Sequence, residues 1–513
     1  MKARARRLET VRYLPLGLAA LALVGVPLIL LGTRWGPGIS DDSFEYLTAA
    51  ENLAAGRGLD WSGPDGATSP LTHYPPFLSV ILAGLIRLGM SSQAAIRALN
   101  AALFGVNVAL TGVAARRLTG SSALSLLAAA LFLLSDVMIR AHAEAMSEGL
   151  YLTLSLAGLL LLARSLRTKG GWYLTAAALF IAAASLTRYV GVSLILVGSL
   201  ALLATPGGPL AKKVRRAAWF LLLTCAPLFV WVGHIYRLTA HLANRSVLWH
   251  PVGPGFLVEI LDVFLTWFVP GRLVHGRALL VALVVTMVAI LVALVLKRRT
   301  RSGVPPLDAP PDLTLARLLV GYLMAYLAVF IIAKSTIDNL IFVDNRLLSP
   351  MLQVLILLGV FVLRWLSTAG LPRPRLALAL PVAALLLLYA GRAYRMASLL
   401  YEEGVGYTSR GYHESSTIDL LRVLRDRPIF TNAVPAVYFA TGKVPYSITP
   451  LDNARERADA ECGLLVVFHS MPLDLFGLTP SQVAEGQLLD AHPDAEVYYS
   501  ASCTTELEPY LGS

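Results

Sequence analysis

The chain has 513 residues, of which 56% are hydrophobic and only 15% are charged, and its formal net charge is +11. Soluble globular proteins carry about 25% charged residues, so this composition excludes a soluble enzyme, a disordered protein and a nucleic-acid reader. Long apolar runs recur along the chain, and a helix of about 20 residues crosses a bilayer. The sequence therefore predicts a polytopic α-helical membrane protein in contact with membrane lipids and without a nucleic-acid partner.

The beginning of the chain sets the predicted topology. The basic segment 1–12 precedes an apolar run, Tyr13–Gly32, that no small-residue cleavage site follows, which is typical of a retained signal anchor. Because Lys and Arg mark the cytoplasmic side, we expect a cytoplasmic N-terminus and an exterior segment over residues 34–93. This segment is predicted to hold two juxtamembrane helices, Ser43–Ala55 with Ser40 or Asp41 as N-cap, and the amphipathic Phe77–Leu88 on the outer membrane surface.

Basic clusters alternate with the remaining apolar runs and predict a multi-pass protein of the cell (inner) membrane. Counting Tyr13–Gly32, the predicted crossings number about eleven, the others being Ala94–Ala115, Ser122–Met138, Gly149–Ala163, Trp172–Thr187, Val190–Ala204, Ala217–His234, Ala278–Leu296, Leu315–Ala333, Leu347–Leu366 and Leu376–Tyr389.

The character of the chain changes near residue 402, since residues 402–513 hold 16 of the 32 acidic residues but only 7 of the 43 basic ones. Strand patterns at 428–432, Leu464–Phe468 and Glu496–Ser500 alternate with helical patterns at Ser416–Arg425 and Ser481–Leu489. We therefore predict two domains: a transmembrane domain over 1–395 and a small external α/β domain over 396–513.

Two of the three cysteines, Cys462 and Cys503, lie in the acidic tail. They can pair if the tail is outside the cytoplasm, but their spacing in sequence does not decide this. The third, Cys225, lies in an apolar run and is interpreted as a small hydrophobic residue.

Acidic residues at the outer ends of crossings are the first candidates for chemistry, because polar groups at membrane depth are costly and tend to be functional. In the pair Asp41-Asp42, one carboxylate can take a proton while the other stays charged or binds a cation; the alternative is a helix N-terminus. Glu144 and Glu148 share a helical face at i, i+4 spacing, or simply begin an interfacial helix.

Basic and aromatic candidates follow the same logic. Lys334 and Arg346 flank a polar loop and can clamp a phosphate, or the loop is merely solvated. Arg188 interrupts an apolar stretch, where a snorkelling arginine is the alternative. His73 and Tyr74 line a pocket or only precede a helix.

Several of these segments, taken in order, resemble one family. An exterior Asp-Asp after the first helix, followed by a short helix and His-Tyr-Pro-Pro, is similar to the GT-C superfold of membrane glycosyltransferases, in particular the bacterial protein-mannosyltransferase-like and aminoarabinose-transferase-like enzymes. The resemblance covers roughly residues 10–390 and extends to four further segments, which are Arg97-Ala-Leu-Asn, Ser147-Glu148-Gly-Leu-Tyr, Thr187-Arg188-Tyr189-Val-Gly and Asn345-Arg346-Leu-Leu-Ser-Pro350.

The resemblance implies transfer of a sugar from a polyprenyl-phosphate donor to a hydroxyl of a lipid, glycan or protein acceptor on the outer face of the membrane, with inversion. It makes Asp41 or Asp42 the general base. Glu148 matches the second acidic residue of the family's catalytic site. Arg346 matches a ligand of the donor phosphate, and Arg188 is a weaker match. Family members differ over a divalent metal. The adjacent acids here are not spaced as Asp-x-Asp, so the resemblance leaves a metal cofactor open.

Two other functions compete with a transferase. A multi-pass transporter or flippase of lipid-linked sugars would also carry charged residues at membrane depth, although the sequence has no paired interrupted helices or repeated halves. A non-catalytic assembly factor with an exterior binding domain is the third hypothesis.

Overall fold

The computed structural model describes residues 2–499 with gaps. The positions in this range that it does not describe are 64–67, 241–247, 270–310, 338–342, 368–373, 425, 472, 474–477, 480–481, 483–486 and 492. For residues 2–12, 374–378 and 487–490 only the backbone is described.

Helices dominate the first four fifths of the chain. Between Gly32 and Ser92 the chain forms two helices and a two-stranded hairpin, β1 (Asp60–Ser62) and β2 (Thr68–Pro70). The helices in chain order are α1 (Lys2–Gly32), α2 (Asp41–Ala54), α3 (Phe77–Arg87), α4 (Ser92–Thr119), α5 (Ser122–Leu133), α6 (Asp136–Ala143), α7 (Glu148–Thr168), α8 (Gly171–Ser185), α9 (Val192–Leu203), α10 (Leu210–Thr239), α11 (Pro254–Phe268), α12 (Leu313–Thr336), α13 (Asn345–Leu366) and α14 (Pro374–Glu402).

Among the described residues, six helices are long and apolar enough to cross a membrane. They are Tyr13–Gly32 of α1, and α4, α7, α10, α12 and α13, and each contains or coincides with a predicted crossing. The predicted crossing Ala278–Leu296 lies outside the described residues, so the count of eleven stays a prediction. Helix α14 contains the predicted crossing Leu376–Tyr389 and also the proposed domain boundary at residue 395.

The predicted crossing Ser122–Met138 is not one continuous helix, because the chain breaks within it. α5 ends at Leu133, and α6 begins at Asp136 with its axis turned by 55°. Ser135 enforces the new start, since its hydroxyl accepts a hydrogen bond from the Met138 amide at 3.3 Å and caps α6. A hydroxyl that competes for backbone amides inside an apolar run produces this break.

Close backbone approach holds α1 against α4. A Cβ at Gly105 of α4 would lie 2.9 Å from the Ala22 carbonyl oxygen of α1, so the two backbones approach closely at this glycine. Buried polar contacts add to the packing of the bundle: Gln353 of α13 donates to the Thr111 hydroxyl of α4 at 3.0 Å. Such hydrogen bonds satisfy polar groups away from water and fix how the helices sit against each other.

The C-terminal region forms a mixed sheet of five strands in the order β4-β3-β5-β7-β6. Strands β4, β3 and β5 are parallel, whereas β7 is antiparallel to both β5 and β6. The strands are β3 (Ile429–Thr431), β4 (Tyr446–Ser447), β5 (Leu464–Phe468), β6 (Gln487–Ala491) and β7 (Ala495–Tyr499), and the helices are α15 (Arg410–His413), α16 (Ser416–Val423), α17 (Val434–Thr441) and α18 (Leu451–Ala460).

The end of one helix predicted in this region, residues 487–489, is wrong. Ser481–Leu489 was expected to be helical, but Gln487–Ala491 is a strand that pairs with β7. The residues Gln-Leu-Leu-Asp-Ala favour a helix by local propensity, and pairing across the hairpin outweighs that preference. In the same region Cys462 is disulfide-bonded, while Cys503 lies outside the described residues.

Candidate active site

The paired aspartates open helix α2, just beyond the first apolar helix. Ser40, not Asp41, is the N-cap: the Ser40 and Ser43 hydroxyls each accept a hydrogen bond from the other residue's amide. Asp41 and Asp42 therefore occupy the first turn, where the helix dipole favours negative charge. The cap leaves both carboxylates available for other partners.

Both aspartates line a cavity of about 550 Å³. Its wall is rich in charge, with five carboxylates and two guanidinium groups contributed by three separate parts of the chain. The lining residues are Gly38, Ile39, Ser40, Asp41, Asp42, Asp136, Val137, Arg140, Ala141, Glu144, Asp344, Asn345, Arg346, Met396, Val405 and Gly406.

Arg346 lies in the cavity wall and contacts Asp42. Its Nη1 donates to Asp42 Oδ2 at 2.7 Å. Asp344 caps α13 by accepting from the Leu347 amide at 2.7 Å, which places Arg346 in the first turn of that helix. The structure thus joins two predicted site residues that are 304 positions apart in sequence.

Behind Arg346 lies a buried ion pair. Glu148 begins α7, its side chain has no exposed surface, and the Arg188 guanidinium donates to its Oε1. Arg346 Nε lies 3.9 Å from the same oxygen. Among the described residues, Glu148 Oε2 has no hydrogen-bond partner. Neither Glu148 nor Arg188 is part of the cavity wall. The pair lies behind Arg346, which is part of that wall.

Asp41 has a different environment from Asp42. The Tyr407 hydroxyl donates to Asp41 Oδ1 at 3.2 Å. The carboxylate is exposed to the cavity but surrounded by protein on its other sides. Burial raises its pKa, the Tyr407 hydrogen bond opposes this, and the neighbouring Asp42 charge adds to the rise. A carboxylate with a raised pKa is a better proton acceptor near neutral pH.

Glu144 lies in the cavity wall, whereas Lys334, His73 and Tyr74 do not. Arg140 pairs with Glu144 at 2.8 Å, and burial raises the pKa of the Glu144 carboxyl in spite of this arginine. Lys334 lies in the last turn of α12 with its ammonium 5.8 Å from the centre of the Phe256 ring.

His73 and Tyr74 lie beside α2 instead of in the cavity wall. The Tyr74 ring centre is 4.8 Å from that of Tyr46 and 6.1 Å from that of His73. Burial and the nearby Asp42 charge raise the pKa of the Tyr74 phenol, so it stays neutral. These two residues support α2 from the side.

No model of a known protein family matches the sequence, and no curated protein matches it. Several solved structures share its fold. ArnT from Cupriavidus metallidurans bound to undecaprenyl phosphate has a TM-score of 0.56 at 14% identity, over 94% of this chain and 97% of that chain. The oligosaccharyltransferase of Archaeoglobus fulgidus in the apo form has a TM-score of 0.51 at 12% identity, over 89% and 69% of the two chains. Arabinofuranosyltransferase AftD from Mycobacteria has a TM-score of 0.50 at 16% identity, over 94% of this chain and 41% of that chain.

The chain has the GT-C fold. The family resemblance read from the sequence is thereby confirmed at the level of fold. Together with its apolar helices, the GT-C fold makes the chain a multi-pass membrane protein.

Two residues near the cavity of this GT-C protein escaped the sequence analysis. Arg392 of α14 donates from Nη2 to Asp136 at 2.8 Å and from Nη1 to the Thr266 carbonyl at 2.6 Å. It thereby ties α6 and α11 to α14. An arginine within an apolar helix was the available signal. Tyr407 had no comparable signal, since a single tyrosine in a loop is ordinary.

A divalent metal does not fit the described residues. Among them, no three Asp, Glu, His or Cys side chains converge as a metal site. Asp42 and Glu148 face arginines instead, and those guanidinium groups would repel a second cation at the same oxygens. No step proposed below is routed through a metal.

Proposed function

We propose that this protein is a membrane glycosyltransferase that moves a sugar from a polyprenyl-phosphate donor to an acceptor hydroxyl on the outer face of the cell membrane. The observation that carries the proposal is the contact of Arg346 with Asp42, beside Asp41, in one cavity of a GT-C fold. A carboxylate base and a guanidinium group at one cavity are what transfer from a phosphate requires.

Asp41 is assigned as the general base. Asp42 is bonded to the Arg346 guanidinium, whereas Asp41 accepts from the neutral Tyr407 hydroxyl and burial raises its pKa. As the acceptor oxygen attacks the anomeric carbon, its proton moves to Asp41. The bond from that carbon to the phosphate oxygen breaks, and the electron pair leaves with the polyprenyl phosphate. Attack opposite the leaving group inverts the sugar carbon.

Arg346 is assigned to the donor phosphate. Its guanidinium lines the cavity and lies in the first turn of α13. It can stabilise the negative charge that develops on the leaving phosphate. Glu148 and Arg188 are assigned as the pair that holds Arg346 in place. Lys334, His73 and Tyr74 lie outside the cavity wall and receive no role in this mechanism.

The class of donor is supported by the likeness to a structure that was solved with undecaprenyl phosphate bound. The acceptor is a lipid, glycan or protein. We assign the N-terminus to the cytoplasm of a cell with this protein in its inner membrane, and residues 396–513 to the exterior as an α/β domain. Basic clusters between the apolar runs support this orientation.

Transfer can be tested with purified protein in nanodiscs, a panel of undecaprenyl-phosphate-linked hexoses and pentoses, and an extract of envelope lipids and glycans as acceptors. We expect sugar incorporation together with release of undecaprenyl phosphate. Asp41→Asn should lower the rate about 10²–10⁴-fold, the usual contribution of a general base. Movement of the intact lipid-linked sugar across vesicles, without release of lipid phosphate, would indicate a transporter instead.

Asp452→Asn is the matched control, because Asp452 is also an exposed aspartate in the first turn of a helix but lies in α18. This variant should transfer sugar at the wild-type rate. Full activity of Asp41→Asn would remove the proposed base.

A further inference from the structure

The short segment that carries the aspartates, residues 36–41, is held between two other parts of the chain. On one side Gly38 forms a parallel bridge with Glu144: the Gly38 amide donates to the Ala143 carbonyl at 2.9 Å, and the Ala145 amide donates to the Gly38 carbonyl at 2.7 Å. On the other side it meets residues 404–409, which we name the docking loop. The position of Asp41 therefore depends on a loop that follows α14.

The docking loop approaches so closely that it requires glycine. The Tyr407 amide donates to the Ile39 carbonyl at 2.9 Å, and the Thr408 hydroxyl donates to the Pro37 carbonyl. A Cβ at Gly406 would lie 2.2 Å from the Ile39 carbonyl oxygen, and the φ of Gly406 is +69°. Both the space and the backbone conformation exclude other residues at this position. The contact therefore depends on the glycine at position 406.

The same loop delivers a side chain to the aspartate. Tyr407 is only 8% exposed, and its hydroxyl lies 3.2 Å from Asp41 Oδ1 and 3.5 Å from Met471 Sδ. A sulfur atom is a weak acceptor, so the carboxylate is the better partner for the phenol hydrogen. The backbone bond to Ile39 and the side-chain bond to Asp41 fix the tyrosine at two points.

We infer that Tyr407 is a positioning residue for Asp41: its hydroxyl holds Oδ1 and leaves the second carboxylate oxygen directed at the acceptor hydroxyl. This inference rests on the proposed function. It gives the docking loop, which follows α14, a part in the reaction. A base contributes only when it lies within hydrogen-bond reach of the proton it takes. An Asp41 side chain free to rotate would spend less time in that geometry.

Other charged groups around Asp41 stay in place when Tyr407 is changed. Asp42 is its neighbour on α2, and the ring of Tyr412 lies 5.7 Å from that of Tyr407. The remaining charged groups of the cavity wall are Asp136, Arg140, Glu144, Asp344 and Arg346. Loss of the Tyr407 hydroxyl alone removes a group that favours the charged carboxylate, so Asp41 should then hold its proton to higher pH.

The test is Tyr407→Phe in the full-length protein, with two readouts. In the transfer assay we expect about a tenfold lower rate, the effect of one lost hydrogen bond to a charged group, and an acid limb displaced to higher pH. The second readout does not need activity: labelling of Asp41 by dicyclohexylcarbodiimide, which reacts with the protonated carboxyl, is followed by peptide mass spectrometry across pH. Its midpoint should also move to higher pH.

Tyr412→Phe is the control, because it removes a half-buried phenol hydroxyl of the same cluster that is bonded to Ser470 instead of Asp41. It should leave the rate and the labelling midpoint unchanged. If Tyr407→Phe does not accumulate, 3-fluorotyrosine at position 407 keeps the ring and is a stronger donor, so the midpoint should move to lower pH. An unchanged labelling midpoint in the Tyr407 variant overturns the inference. Absence of transfer by the wild type, with the midpoint displaced as expected, overturns the proposed function alone.

Discussion

Glu148 is the most completely buried charge at the site, and two arginines lie against it. Its side chain has no exposed surface, Arg188 binds one of its oxygens, and Arg346 approaches the same oxygen. A buried pair of this kind adds little net stability compared with apolar packing, but removal of one partner leaves an uncompensated charge. Removal of the Glu148 charge should therefore leave Arg188 without its partner in a buried position.

We expect Glu148→Gln to lower the free energy of unfolding by about 3–5 kcal/mol, the cost of breaking a buried pair. Equilibrium unfolding in mixed micelles measures this. The control is Glu461→Gln, which breaks an exposed i, i+4 pair with Arg457 at 3.3 Å and should change stability little. Equal effects of the two variants would contradict a structural role for the Glu148 pair.

The predicted site residues fall into two groups, those that line the cavity and those that do not. Asp41, Asp42, Glu144 and Arg346 line the cavity, while their roles in transfer stay predictions. The sequence could not show which arginine meets which carboxylate. Arg346 with Asp42 and Arg188 with Glu148 are contacts across 304 and 40 positions, and only packing selects them.

At the scale of elements, the break between α5 and α6 shapes the cavity. The 55° turn at Ser135 brings Asp136, Arg140 and Glu144 of one short segment to the wall opposite Asp41. Hydropathy alone predicts one straight crossing here, because a single capping serine hardly changes the mean of an apolar window. The physical cause of the break is local, but its consequence depends on the helices around it.

The docking loop provides a test at the same scale. Gly406→Ala should lower both the unfolding temperature and the transfer rate, since the added methyl would meet the Ile39 carbonyl and displace the segment that carries Asp41. Gly442→Ala is the control: its φ is +74°, but a Cβ there meets nothing within 4 Å.

Both alanine variants carry the strain of a left-handed residue, about 1–2 kcal/mol, so thermal stability should fall in each. Only Gly406→Ala should lose transfer activity as well. Equal transfer by the two variants, compared at a temperature where both are folded, would show that the docking loop does not position Asp41.

At the scale of the whole molecule, the orientation in the membrane is the open prediction. Val423 of α16 and Leu210 at the start of α10 are 63% and 70% exposed. In a Cys225→Ala background, Val423→Cys should react with a membrane-impermeant maleimide added to intact cells. Leu210→Cys, next to the basic residues of α10, should react only after the cells are opened. The reverse pattern would place the cavity on the cytoplasmic side.

Composition and local patterns determined much of this protein. Membrane insertion, the positions of most long helices, the cap at the start of α2 and three of the five C-terminal strands follow from hydropathy, charge and residue types within a few turns of chain. Tertiary structure alone decided that Gln487–Ala491 is a strand, that Arg392 joins α6 and α11 to α14, and that Tyr407 reaches Asp41 across 366 positions. The free energy of inserting a helix into the membrane is a sum over the residues of that helix. A hydrogen bond between residues far apart in the sequence, in contrast, forms only once the intervening helices have packed.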